Sequence, residues 1–70
     1  MEYGDGVLKM FDPNRGFGFI KPDEGGNDVF VHISTAEGSG IQLRQGMRLG
    51  FELGQDRKTG KPKAENLRFL

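Results

Sequence analysis

The sequence contains no cysteine and only one histidine, His32. The absence of cysteine excludes disulfides and thiolate metal sites, and a lone imidazole does not build a zinc site without unusual carboxylate help. No apolar run reaches the roughly 18 residues that a membrane span needs, and the acidic first residues do not form a signal peptide. We therefore expect a cytoplasmic protein without metal, cofactor, membrane partner or small-molecule substrate.

Charge of one sign is also not in excess, because ten basic residues balance ten acidic ones. This balance weakens bulk attraction to nucleic acid, so the placement of the charges matters more than their sum. Four basic side chains lie between Arg57 and Lys63, where they could contact phosphates or form a solvated loop. With one histidine, no cysteine and no paired acids in a pocket, no acid–base catalytic site is predicted.

Glycine, by contrast, is abundant, with twelve in 70 residues, and the glycines separate short apolar runs. This spacing is typical of short strands joined by tight turns. The predicted strands cover residues 6–11, 15–21, 28–33, 47–53 and 63–69, with one helical turn at 34–37 capped by Ser34 and a flexible loop at 38–40.

Five short strands in so small a chain predict an all-β fold with a closed barrel, since closure removes sheet edges and shares a thin core on all sides. The expected architecture is a five-stranded antiparallel OB-type Greek-key barrel, formed by residues 1–70 as one domain; an SH3-like barrel is the alternative. The apolar positions of the strands predict a core of Leu8, Ile20, Val29, Val31, Leu49, Phe51, Leu53 and Leu67.

Two neighbouring segments, residues 14–23 and 29–33, place aromatic side chains at alternate strand positions. Alternate side chains of a strand share one face. If these strands pair as a hairpin, Phe17, Phe19 and Phe30 join His32 on one surface. The opposite face already holds apolar side chains for the core, so the rings are predicted to form an exposed binding site. Core packing of the rings is the alternative that periodicity alone leaves open.

At these positions the sequence resembles the cold-shock domain family over nearly its whole length. Residues 6–11 resemble the first strand of the family, residues 15–20 its first ribonucleoprotein motif, residues 29–34 its second, and residues 62–67 its fifth strand. The resemblance implies an OB-type barrel that binds single-stranded RNA or DNA without a catalytic pocket, as an RNA chaperone or regulator of transcripts.

The resemblance also implies roles for individual residues. The rings of Phe17, Phe19 and Phe30 would stack on bases, with His32 as a further stacking and polar contact. Asp28 would accept a hydrogen bond from a base, and Lys9 and Arg15 would contact the backbone or base edges. The complete predicted interface is Lys9, Met10, Phe11, Arg15, Phe17, Phe19, Asp28, Phe30, His32 and Lys61.

Three positions depart from the family pattern. Met10 stands where the family usually has Trp, Ile33 where it usually has Phe, and Ile41 near where it often has Tyr or Phe. Aliphatic and thioether side chains contact bases by dispersion but lack a flat face. We therefore expect a shallower, weaker or more selective binding surface, with up to three rings missing.

Other interpretations remain open at this point. His32 could be an incidental surface side chain, and Phe11, which precedes a turn, is as well placed for partial burial as for binding. An apolar patch of Met10, Ile33 and the three rings could dock a protein partner instead of nucleic acid. A monomer is expected, with a strand-exchanged dimer as the alternative.

Overall fold

The computed structural model describes residues 2–70 and contains one barrel and one short helix. The elements, in chain order, are β1 (Glu2–Asp12), β2 (Phe17–Pro22), β3 (Val29–His32), α1 (Ile33–Gly38), β4 (Arg48–Gln55) and β5 (Pro62–Phe69). The strands close in the order β1-β2-β3-β5-β4, which confirms the predicted five-stranded barrel. Among residues 2–70 no helix is long and apolar enough to cross a membrane.

One pair of neighbouring strands in the barrel is parallel. β3 and β5 run parallel and meet through Phe30 opposite Lys63, whereas the other four pairs are antiparallel. The reason is geometric: strand direction cannot alternate all the way around a closed ring with an odd number of strands. One parallel contact is therefore unavoidable, and here it falls beside the predicted binding strands.

β1 begins at Glu2, four residues before its predicted start, because its first half pairs with β4 and its second half with β2. Gly6 lies where the two pairings overlap, opposite both Pro22 and Leu49. A Cβ atom on Gly6 would collide with the backbone oxygen of Lys21, so the close approach of β1 to β2 requires glycine. The strand then passes an irregularity between Leu8 and Met10.

The interior of the barrel holds the predicted core. All of the predicted core residues are buried except Leu53, which is partly buried and packs against them. Residues 2–70 add four buried hydrophobic side chains that strand periodicity did not indicate: Ala36, Ile41, Leu43 and Ala64. Ile41 is only 6% exposed, so it is part of the core and not an aliphatic replacement for a surface ring.

The helix α1 begins one residue earlier than predicted and has a different cap. The Nδ1 atom of His32 accepts a hydrogen bond from the backbone N–H of Ser34 at 3.1 Å, so His32 and not Ser34 is the N-cap. The segment 38–40, which was predicted to be a flexible loop, is fastened to β5, because the backbone N–H of Leu67 donates to Oγ of Ser39 at 3.0 Å.

Candidate nucleic-acid interface

The hairpin of β2 and β3 forms an aromatic surface, which we call the ring face: Phe17, Phe19, Phe30, His32 and Met10. Phe17 lies opposite His32, and Phe19 lies opposite Phe30 on β3 and opposite Met10 on β1. Residues directly opposite each other share a face of the sheet. On the opposite side of β2 and β3, Ile20 and Val31 are fully buried inside the barrel.

The three phenylalanine rings contact one another and leave part of their surface open. Phe17 and Phe30 are stacked with their centroids 5.7 Å apart and their planes at 28°. Phe19 meets Phe17 edge-on at 5.9 Å and Phe30 edge-on at 5.8 Å. All three rings are only half-buried. Their mutual packing fixes ring orientation without covering it, so that flat apolar surface is already in place for a ligand.

Of the three positions at which rings are missing, only Met10 lies on the ring face, where it is 36% exposed. Ile33 is the first residue of α1 and borders a separate cleft together with Ile41 and Phe11. Phe11 lies opposite Gly18, whose neighbours Phe17 and Phe19 point to the other side, and it packs against the core. The structure therefore places Phe11 on the interior side of β1 and not beside the rings, since it lies next to Met10 in a strand whose side chains alternate.

The predicted polar contacts Lys9 and Asp28 form a salt bridge, with 2.6 Å between Nζ of Lys9 and Oδ2 of Asp28. Lys9 lies at the irregularity of β1, and Asp28 immediately precedes β3. Both side chains are partly exposed. The pair neutralises two charges beside the rings and leaves the second oxygen of Asp28 available as an acceptor.

Arg15 lies at the other end of the rings, in the turn between β1 and β2. The Oδ1 atom of Asp12 accepts backbone N–H bonds from Asn14 at 3.0 Å and from Arg15 at 3.1 Å, and the turn closes at Gly16 with φ of +77°. The side chain of Arg15 remains 76% exposed, with its Nε atom 3.8 Å from Oδ2 of Asp12. Because Asp12 lies opposite Phe17, Arg15 is near the ring face and able to reach a ligand.

Next to Phe19 and Phe30 is a depression of about 540 Å³, which we call the loop cleft. Its walls come from the β2–β3 turn and the β4–β5 loop, and it is lined by Phe19, Asn27, Asp28, Phe30, Asp56, Thr59, Lys61 and Pro62. Lys61, predicted from the basic cluster, thus lies next to the rings. A second depression of about 270 Å³ adjoins Phe30 on the side of His32 and Lys63. Together they continue the ring face along β3.

Asp56 is the main feature of the loop cleft that the sequence did not indicate. Its Oδ1 atom accepts backbone N–H bonds from Lys58 and Thr59, both at 2.9 Å. The hydrogen bond from Thr59, followed by that from Lys58, lowers the pKa of the Asp56 carboxyl below its usual range. Asp56 is therefore a charged acceptor at neutral pH. The clue in the sequence was the Asp-x-x-Thr-Gly pattern of residues 56–60, typical of a turn that the Asp side chain closes.

The outer surface of β1, β4 and β5 carries paired charges and is called the ion-pair face: Asp5, Asp23, Arg48 and Arg68. Arg48 donates to both oxygens of Asp23, at 3.1 and 2.6 Å, and Arg68 lies 3.4 Å from Asp5. The bidentate hydrogen bond from Arg48 lowers the pKa of Asp23. Through these hydrogen bonds, Asp23 connects the β2–β3 turn to β4.

A closed five-stranded OB-type barrel with aromatic rings exposed on adjacent strands defines a class of protein that binds single strands, since such rings stack on unpaired bases. Residues 4–70 match the family model described as the 'Cold-shock' DNA-binding domain. The chain belongs to the cold-shock domain family.

Individual relatives agree with this family. The chain is 51% identical over 63 residues to a protein of Sinorhizobium fredii called a probable cold shock protein, covering 89% of this chain and 91% of the relative. It is 45% identical over 64 residues to a cold shock protein of Rhizobium meliloti, covering 90% and 93%. A cold shock-like protein of Buchnera aphidicola is 44% identical over 63 residues, covering 89% and 88%.

Proposed function

We propose that residues 1–70 act as one cold-shock domain that binds single-stranded RNA or DNA on the ring face. The observation that carries this proposal is the half-buried cluster of Phe17, Phe19 and Phe30 on two adjacent strands. A base buried in a duplex cannot stack on a protein ring, whereas an unpaired base presents its whole π-face. The geometry of the rings thus favours single strands over duplexes.

In this mechanism each exposed ring takes one base, while Arg15 and Lys61 attract the phosphates at the two ends of the ring face. Stacking contributes about 1–3 kcal/mol per base and tolerates any base. Because the protein binds only the open form of a hairpin, it shifts the hairpin toward single strand by mass action. This is the action of an RNA chaperone or a regulator of transcripts, it needs no catalysis, and it belongs in the cytoplasm, where transcripts are made and translated in bacteria.

The charges near the rings support a ligand with negative phosphates and polar base edges. The aliphatic side chain of Ile33, which would enlarge a docking patch for a protein, lies in a different cleft with Phe11. A monomer is sufficient for the proposed activity, because the predicted contacts except Phe11 lie on or beside one face of one barrel.

The test is titration of the protein with an unstructured strand of about seven nucleotides and with a duplex of the same sequence, a length within the ~4–16 nucleotides that one OB fold covers. We expect micromolar or tighter binding to the single strand, little affinity for the duplex, and weakening as salt increases. The chain has no Trp, so calorimetry or anisotropy of a labelled strand is the readout. Equal or better binding to the duplex would contradict the proposal, and affinity for a protein partner that is insensitive to salt would favour apolar docking.

A further inference from the structure

The loop cleft differs from the rest of the ring face because its polar lining is rich in hydrogen-bond acceptors. Phe19 and Phe30, whose planes meet at 70°, form one corner, and the carboxylates of Asp28 and Asp56 lie around it. Rings alone accept any base, but carboxylates accept hydrogen bonds and never donate them when ionised. The cleft therefore combines a stacking surface with groups that distinguish one base edge from another.

The two carboxylates are not equivalent. Asp28 forms a salt bridge with Lys9, with 2.6 Å between Oδ2 and Nζ. Asp56 forms no salt bridge within residues 2–70, and its Oδ1 atom is held by the backbone of Lys58 and Thr59. A carboxylate has about four lone-pair sites, so two backbone bonds leave Asp56 with acceptor capacity in a fixed orientation.

We propose that the loop cleft selects bases that carry an exocyclic amino group, and that Asp56 is a specificity-determining residue that accepts a hydrogen bond from this group. The inference rests on the proposed function, since it concerns the base that occupies one part of the same interface. Cytosine presents N4–H₂ as a donor, whereas uracil presents the O4 acceptor at the same position. A fixed carboxylate attracts the N4 amino group of cytosine and repels the O4 atom of uracil.

The surrounding charges are consistent with entry of a base and not of a phosphate. A phosphate in the cleft would meet the negative charge of Asp56, which forms no direct salt bridge within residues 2–70. Lys61 lies at the exposed rim of the same cleft, where its ammonium can hold a phosphate or a base carbonyl outside. The backbone of the strand then stays at the rim while the edge of the base points inward.

The experiment compares the dissociation constants of oligo-dC and oligo-dU strands of about seven nucleotides, by calorimetry at one salt concentration and pH 7.5. Deoxyuridine avoids the methyl group of thymine, so the two strands differ only at the ring edge. We expect oligo-dC to bind about ten-fold more tightly, near the lower end of what one good side-chain–base pairing discriminates. A ratio below two-fold, or a preference for oligo-dU, would overturn the inference.

The deciding variant is Asp56→Asn. Its amide oxygen still accepts the backbone bonds of Lys58 and Thr59, so the loop keeps its turn, but an N–H₂ donor replaces the second carboxylate oxygen. We expect the dC-to-dU ratio to fall to about one or to invert, because the donor suits O4 of uracil. Retention of the wild-type ratio in Asp56→Asn would overturn the inference.

The control variant is Glu24→Gln, an exposed residue of the β2–β3 turn that does not line the loop cleft. It changes the net charge by the same amount, so both variants are expected to bind both strands slightly more tightly at low salt. The ratio in Glu24→Gln should equal that of the wild type, and an equal loss of the ratio would overturn the inference. If single strands bind no better than duplex, the proposed function itself fails; if they bind well without discrimination, only the role of Asp56 fails.

Discussion

The ring face and the ion-pair face lie on different parts of one barrel and use their exposed side chains in opposite ways. On the ion-pair face, Asp23 and Asp5 are matched with Arg48 and Arg68 at 2.6 and 3.4 Å. On the ring face, three rings pack against one another and remain partly exposed. The proposed binding surface is thus the one with partly exposed rings, not the one with paired charges.

This difference also explains how a chain of zero net charge suits a polyanionic ligand. On the ion-pair face positive and negative groups cancel at short range, so they contribute little to the field that a ligand meets beyond about 8–10 Å, the Debye length at physiological salt. A strand that binds on the ring face as proposed would first meet the charges around the rings, where Arg15 and Lys61 are exposed. The positions of the charges on the surface therefore matter more for binding than the net charge of the chain.

The strongest test of the comparison removes one ring. Phe30→Ala is expected to weaken single-strand binding by about 1–3 kcal/mol, because Phe30 borders both depressions and stacks on Phe17. Titration with one short strand at fixed salt measures this loss. The matched control is Tyr3→Ala, which removes an aromatic ring that is 66% exposed on β1 and should leave affinity unchanged. Equal losses of affinity in both variants would show that the single strand does not bind preferentially on the ring face.

A second variant tests which side of β1 belongs to the interface. Phe11→Leu is expected to lower the free energy of unfolding by about 1 kcal/mol through imperfect packing against the core, with single-strand affinity unchanged. Denaturant unfolding and titration measure the two quantities. A loss of affinity in a variant with an intact fold would indicate that Phe11 contacts the strand after all.

The third variant adds a ring where the family pattern has one. Met10 lies opposite Phe19 on the ring face, so Met10→Trp should tighten single-strand binding by about 1 kcal/mol, near the lower end for one stacked base. The free energy of unfolding should stay within roughly 0.5 kcal/mol, as for most surface changes. Tyr3→Trp places the same indole elsewhere on β1 and should give no gain. Unchanged affinity in folded Met10→Trp would mean that this part of β1 does not touch the strand.

The smallest effect is expected on the ion-pair face and is seen only in acid. Asp23 has a pKa lowered in the fold, chiefly by the hydrogen bond from Arg48. Its contribution to stability is therefore present above the unfolded carboxyl pKa of about 3.9 and is lost as pH falls through the folded value. Chemical unfolding of Arg48→Met should depend less on pH between about 5 and 2 than unfolding of the wild type. Lys21→Met, which removes an exposed positive charge from β2, should retain the wild-type profile.

Strand periodicity was sufficient to predict the ring face, because Phe17, Phe19, Phe30 and His32 belong to two strands that are neighbours in sequence and pair locally. It failed where the partner is distant along the chain. The first half of β1 is a strand because of β4, more than 40 residues away. Ile41 is buried in a core whose other members come from all five strands and from distant parts of the chain. The position of Asp56 next to Phe30 depends on loop conformation, which side-chain alternation does not encode.

The parallel pairing of β3 and β5 consists of the single residue pair Phe30 and Lys63. It is therefore the shortest strand pairing in the barrel. The loop cleft lies across this pairing, with Phe30 of β3 on one side and Lys61 and Pro62 on the other. A nucleic-acid strand bound in the cleft would touch both sides, so we expect occupancy of the cleft and closure of the barrel to be thermodynamically linked. The melting temperature of the protein should then rise with the concentration of the single strand. A substitution that weakens the contact between β3 and β5 should also lower the affinity for single strands, even where the substituted residue does not contact a base.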